Sequence, residues 1–485
     1  MPSTPLRSIA VPAAADLQAA LNSAQAGDEL VLAQGAIFTG HFTLPVHASD
    51  GWVIVRGAET LPAFGERMTP ALAQGAPQLV TPDGDAVLTA APAAHHWRII
   101  GLDLHPAAGQ DVNDLVILGI GTETDPATLP HDLILDRLYI HGDPIQGGKR
   151  GVRLNSATSA IVGCTISDWK RVGQDTQAIL GWNGPGPYLI AGNDLEGAGE
   201  NVLFGGADPA MTNQVPSDIA ICHNHFWKPR AWKMDDPSFQ GTLWSVKNLF
   251  ELKMGRRVLV VGNVFEQCWP QAQTGFGWVI KSANQDGKAP WSQTEQVTLW
   301  RNLVRRTAAA ANISPSDPNT PLATDTVRVE DNLFVEIGTG DWAGNGNLFQ
   351  ILGVASVRII HNTGFAPHAT INADGISPNF LLRDNLLERG MYGVKGSGLA
   401  EGNSTFATNF PGSTIVGNGF IGADAASYPV GNFFPADDAS VGFVDLAGGD
   451  YHLETSSALF DAASDGSDVG ADITALLTEI AGVAP

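Results

Sequence analysis

A short pattern recurs along this chain: apolar, any, any, Asn, any, apolar. It reads IAGNDL around Asn193, ICHNHF around Asn224, VVGNVF around Asn263 and LWRNLV around Asn302. It continues as VEDNLF at Asn332, IIHNTGF at Asn362, LRDNLL at Asn385 and IVGNGF at Asn418. Earlier copies hold Leu102, Leu138 and Cys164 in the Asn slot, and successive slots are 36, 26, 29, 31, 39, 39, 30, 30, 23 and 33 residues apart. Short strand-like stretches at such a period, with no helical pattern between them, predict a solenoid of strands. No single coil can bury its apolar face alone, so each must stack on the next. The Asn is expected to take the left-handed backbone that turns one strand into another, and its side chain to hydrogen-bond to the Asn of the next coil.

Composition agrees. There are 55 glycines and only 16% charged residues among 485, which suits strands and turns better than helices. Lys and Arg number 27 against 50 Asp and Glu, a net charge of −23. That balance argues against a nucleic-acid partner, because phosphate binding rests on basic residues, and it favours solubility. Cys164, Cys222 and Cys268 form neither a disulfide framework nor a zinc-like Cys/His spacing. The opening MPSTPLRSIAVPAAADL has no apolar signal-peptide core. No apolar run approaches the roughly 20 residues needed to span a bilayer, so no membrane partner is expected.

The ends read as caps. Asp16 to Ser23 predicts a short amphipathic helix before the first strand, which would close an otherwise open end of core and unpaired strand edge. The layout expected is a cap over 1–30, the solenoid over 31–430, and a C-terminal coil and tail over 431–485. Within that tail, Asp465–Asp472 reads either as a solvated turn or as a calcium loop.

This pattern resembles the right-handed parallel β-helix of pectate-lyase-like proteins over roughly residues 30–430. The fold class implied is all-β, a single-stranded right-handed parallel β-helix with an N-terminal capping helix. The stretches QAILGWNGPGPYLIAGNDLEGAGENVLFGGADP and WSVKNLFELK are similar to a functionally uncharacterised group of bacterial secreted β-helix repeat proteins. That resemblance implies a secreted or periplasmic protein whose leader is absent from this sequence.

The site is expected where long coils and polar residues concentrate, between residues 150 and 290. Nine of the twelve tryptophans lie between Trp169 and Trp300, and Trp182, Trp244 and Trp291 read as loop residues able to stack on sugar rings. Aligning Leu154, Leu180, Phe204, Leu252 and Ile280 as inward positions puts Asn155, Gly181, Gly205, Lys253 and Lys281 in one outward column. Arg153, Ile179, Leu203, Glu251 and Val279 then form its neighbour. Lys281 would stack on Lys253 at about 4.8 Å coil spacing. Two ammonium groups that close disfavour each other's protonation, which would ready one of them as a general base. Arg150, Arg153, Asp175, Gln177, Glu200, Asn201, Asp208, Asn284 and Asp286 are the further candidates for substrate binding.

Basic residues on adjacent coils also resemble the chondroitinase B and alginate lyase family. The resemblance implies that Lys253, in FELKM, is the base, and that Lys281, in WVIKS, stands where that family has an arginine acid. The expected activity is therefore β-elimination at a uronate of a polysaccharide, with Glu251 beside the lysines. Two alternatives share the scaffold. A glycoside hydrolase would need a carboxylate pair drawn from Glu251, Asp175, Glu200, Asp208 and Asp286, about 5–5.5 Å apart for retention or 6.5–9.5 Å for inversion. A non-catalytic glycan-binding solenoid would show amides and aromatics in a groove without an acid or base. No Gly-x-Ser-x-Gly, His-Glu-x-x-His or phosphate-loop motif is present.

Overall fold

The computed structural model describes residues 5–58, 61–63, 65–318 and 320–484. Its chain folds as a parallel β-helix, and residue contacts divide it into two compact units, 1–245 with 284–292, and 246–283 with 293–485. Each unit winds three parallel sheets. In the amino-terminal unit they run from Arg7–Val11 to Ser217–Cys222, from Phe42–Leu44 to Glu200–Phe204, and from Ile37–Thr39 to His225–Trp227. In the carboxy-terminal unit they run from Gly255–Val261 to Thr414–Val416, from Phe250–Leu252 to Val394–Gly396, and from Val264–Cys268 to Gly419–Ile421.

The N-terminal helix spans Leu17–Ser23 and buries Leu17 and Leu21; Asp16 caps it by accepting from Ala19 N at 3.0 Å. A strand missed in the sequence, Arg7–Val11, precedes the helix and pairs in parallel with Asp28–Leu32. Residues 1–4 of the expected cap lie outside the described residues.

The asparagine ladder forms, but not in the backbone conformation expected. Positive φ belongs to the residue just before the slot: Gly192, His223, Gly262, Arg301, Asp331, His361, Asp384 and Gly417. The Asn side chain is therefore free to turn inward. Asn193 N and Nδ2 both donate to Asn224 Oδ1 at 2.9 Å. The same pairing links Asn263 to Asn302, Asn302 to Asn332, Asn332 to Asn362, Asn362 to Asn385 and Asn385 to Asn418. Asn432, unread in the sequence, ends the ladder by accepting from Asn418 N at 2.9 Å. Each amide satisfies buried backbone donors and carbonyls that the turn would otherwise orphan.

The tail folds back over its own unit. Helix Ile473–Glu479 packs Ile473 and Leu476 against Val264, Leu303, Leu333 and Val335, an apolar column on the outside of one sheet. His361 fixes the preceding loop through Gly470 O at 3.0 Å and Asp465 Oδ2 at 3.1 Å. Asp465 also accepts from Ser467, Asp468 from Asp461 N, and Asp472 caps the helix. Of the two readings of Asp465–Asp472, the calcium loop fits poorly, because its carboxylates are engaged by the chain itself. Among the described residues, no helix is long and apolar enough to cross a membrane.

Candidate active site

Strands Phe250–Leu252, Phe276–Ser282, Ala309–Ser316 and Asn347–Leu352 lie side by side in the carboxy-terminal unit. Alternation buries Phe250, Leu252, Trp278 and Ile280 in the core and turns Glu251, Lys253, Val279 and Lys281 outward. The register pairs Glu251 with Val279 and Leu252 with Ile280, as the sequence alignment has it for these two coils.

The lysines do not face each other bare. Glu251 Oε1 lies 3.8 Å from Lys253 Nζ and 3.6 Å from Lys281 Nζ, and the Glu251 side chain is only 3% exposed. Asp317, absent from the sequence candidates, reaches Lys281 Nζ at 3.0 Å. The expected repulsion between ammonium groups is replaced by a bridging carboxylate. Asn248 supports the cluster: its Nδ2 lies 2.8 Å from Gln273 Oε1 and 3.5 Å from Glu251 Oε2, and its Oδ1 accepts from Phe276 N at 3.1 Å.

This cluster borders a cleft of about 520 Å³ whose lining includes Glu251, Gln273, Lys281, Asn312, Ser314 and Asp317. Glu251, Val279, Asn312, Gln350 and Asn372 occupy successive positions of one outward column. The amides are signalled in the sequence by NIS and FQI, but those coils lack the clustered polar loops found between residues 150 and 290. Both carboxylates of the cleft face the Lys281 ammonium, so this donor set does not suit a calcium ion.

In the amino-terminal unit the sequence alignment slips by one residue. Val152 pairs with Ile179 and Arg153 with Leu180; Leu180 in turn pairs with Leu203, and Gly181 with Phe204. Ile179 therefore joins the core column, and Gly181, not Leu180, follows Leu154 inward. A Cβ on Gly181 would stand 2.5 Å from Leu154 O and 3.1 Å from the Phe204 ring, so Phe204 fills the space that glycine leaves. Gly181 thus leaves the outward column, and Asn155 is wholly buried, accepting from Trp182 N and Asn183 N. Gln177–Gly181 and Glu200–Phe204 are buried along their whole length, so they carry no alternation from which register could be read.

The candidates of this unit fall into three groups. Arg150 and Arg153 both pair with Asp114; Arg150 also lies 3.3 Å from Gln177 Oε1, and Gln177 donates to buried Glu200 at 2.8 Å. Burial pulls the Arg150 guanidinium down, against the raising effect of Asp114. Beside it Lys149, which the sequence reading missed, is held below its usual value by partial burial and then by Arg150 and Arg171. Asp175 is half-buried in the loop leading to Gln177.

A second group is structural. Trp182 is buried, with Nε1 donating to Gly121 O at 3.2 Å, and Trp244 is buried with Trp232 around the Lys170 ammonium. Neither can stack on a sugar. Asn201 is fully buried, its Nδ2 bonding Leu195 O and Trp227 O, while its Oδ1 accepts from buried Lys228. The third group ties one loop to another: Asp208 Oδ2 accepts from Asp286 N and Lys288 N, Asn284 Oδ1 from Ala289 N, and half-buried Trp291 donates to Gln214 O at 3.0 Å.

The stacked parallel sheets, with the asparagine ladder at their turn, define a right-handed parallel β-helix protein. No protein-family model matches the chain, and no curated protein sequence matches it. Solved structures do. A mannuronic acid specific polysaccharide family 6 lyase from human gut microbiota aligns with TM-score 0.50 and 12% identity, over 88% of this chain and 91% of that one. A tailspike protein mutant of E. coli bacteriophage HK620, in complex with pentasaccharide, aligns with TM-score 0.51 and 13% identity, over 86% of this chain and 62% of that one. At these identities the likeness is one of fold.

Proposed function

We propose that the protein acts on carbohydrate, cleaving an acidic polysaccharide by β-elimination at a uronate, with Lys253 as base and Lys281 as acid. The observation that carries this reading is the convergence of two lysines from neighbouring coils on one buried carboxylate, at the edge of a cleft lined with amides and hydroxyls. One fold relative is a lyase specific for mannuronic acid and the other is bound to a pentasaccharide, which supports a carbohydrate ligand by analogy. A polymer of this kind fits action outside the cytoplasm.

In this reaction Lys253, once it has given up its ammonium proton against the pull of Glu251, takes the proton α to the uronate carboxylate. The electron pair left behind forms the new carbon–carbon double bond as the β carbon–oxygen bond breaks, and the Lys281 ammonium delivers a proton to the departing oxygen. Negative charge developing on the uronate is met by the Lys281 ammonium, which Glu251 and Asp317 hold in place. Gln273, Asn312 and Gln350 present donors and acceptors along the face where neighbouring sugars would lie.

One observation favours a second reading. Glu251 and Asp317 both line the cleft beside Lys281, so it holds two carboxylates, the residue type on which glycoside hydrolysis relies. Incubation with a panel of uronate and neutral polysaccharides separates the two. Unsaturated products with ultraviolet absorbance are expected from uronate polymers. New reducing ends without unsaturation would replace the lyase reading with the hydrolase one, and neither product from any polymer would leave a glycan-binding solenoid.

A further inference from the structure

In the amino-terminal unit, strands Gln78–Thr81, Asp103–Pro106 and Tyr139–His141 lie side by side. Pairing of Leu104 with Ile140 in the core sets Asp103 and His105 outward on one coil and His141 outward on the next. The two imidazoles stack with centroids 4.9 Å apart and planes 16° from parallel. One carboxylate oxygen of Asp103 and one ring nitrogen from each histidine lie within 4.8 Å of one another.

Three details go beyond proximity. Each histidine Nδ1 lies 2.8 Å from a backbone carbonyl oxygen, Pro106 O for His105 and Gly142 O for His141. With Nδ1 turned to these carbonyls, each histidine keeps Nε2 on the outward side, the nitrogen a metal would take, where His105 Nε2 now meets Gln78 Oε1 at 3.4 Å and His141 Nε2 meets Asp103 Oδ1 at 3.3 Å. Asp103 is buried, and its Oδ1 accepts no hydrogen bond. Such an acceptor normally costs stability. His141 Nε2 lies 3.3 Å from that oxygen, poorly aligned for a hydrogen bond but within ion-pair distance when the imidazole is protonated. Two ligands of one tetrahedral ion, each about 2.0–2.1 Å from it, stand roughly 3.3 Å apart without bonding to each other.

We propose that Asp103, His105 and His141 bind a divalent cation of the zinc type. Two imidazole nitrogens and one carboxylate oxygen suit zinc better than calcium or magnesium, which take all-oxygen shells. Both histidines are only half-buried, so a further coordination position opens toward solvent. Gln78 Oε1, 3.4 Å from His105 Nε2, borders it. A second histidine cluster, His96, His131 and Asp132, differs in that Asp132 already holds His131 Nδ1 at 2.6 Å. It serves as the internal control.

The full chain, stripped with chelator, is titrated with cobalt(II) and followed by its visible absorption, then back-titrated with zinc(II). One cobalt should bind per chain and be displaced by zinc. His141→Ala and the shape-conserving His141→Gln should both weaken binding by more than the roughly 10–100-fold that loss of an outer partner costs. His131→Ala should bind like the wild type. Melting curves in chelator, matched across the variants, show that each is folded. Zinc should raise the melting temperature of wild type and His131→Ala but not of the His141 variants. Absence of a cobalt spectrum in folded wild type, or a spectrum retained by both His141 variants, would overturn the site.

Discussion

Glu196 shows how a single buried group sets a pH response. Its carboxyl is pushed up to about 8, first by burial and next by the Asp168 carboxylate, although Asp168 N donates to it at 2.9 Å. The unfolded chain ionises this group near its ordinary value, about 4.5. Between those values the folded protein keeps a proton that the unfolded chain has lost, so stability falls as pH rises, by up to about 1.4 kcal/mol per unit. Glu196→Gln should flatten the decline in melting temperature across that window; an unchanged slope would mean that the carboxyl ionises in the folded state. The sequence gives little sign of such residues. Glu196 and the fully buried Lys228, whose ammonium is caged by Gly197 O, Ala198 O, Gly199 O and Asn201 Oδ1, look like surface charges when read one at a time. Trp182 and Trp244 fail in the opposite sense: they read as loop aromatics but are buried by partners distant in sequence, Gly121 and Lys170.

At the scale of elements, the asparagine slot carries the fold because one amide satisfies several buried backbone groups at each turn. Asn332 accepts from Asn302 N and Nδ2 and donates to Leu299 O and Glu330 O. Asn332→Ala orphans these groups, and chemical denaturation should show a loss of about 2–3 kcal/mol. A loss within a few tenths of a kcal/mol would show that the ladder is ornamental. The slot was legible because Asn recurs at a fixed place in an apolar frame. The left-handed residue before it was not, because Gly, His, Arg and Asp all occupy that position. Register was legible for Phe250–Leu252 against Phe276–Ser282, where charge and core alternate, and illegible for Gln177–Gly181 against Glu200–Phe204, where every position is buried. The lysine pair of the candidate site was therefore found in the sequence, while Asp317, Asn312 and Gln350, which border it only through stacking, were not.

Across the whole molecule the net charge of −23 sets the terms for any encounter with an acidic polymer. At low ionic strength the general field repels such a substrate, and Lys253 and Lys281 act only at short range. Raising salt toward about 0.1 M shortens the Debye length to roughly 10 Å and screens that repulsion more than the local contact. KM for a uronate polymer should therefore fall as salt rises from low values; a steadily rising KM would point instead to a cationic docking surface. The most direct test of the account is the rate of unsaturated-end formation from a uronate polysaccharide by wild type, Lys253→Ala and Lys281→Ala, each verified as folded by its melting curve. The wild type should be active, and each variant should lose kcat by at least about 100-fold, the scale at which proton transfer by a positioned side chain contributes. Unsaturated ends produced at wild-type rates by both folded variants would contradict it.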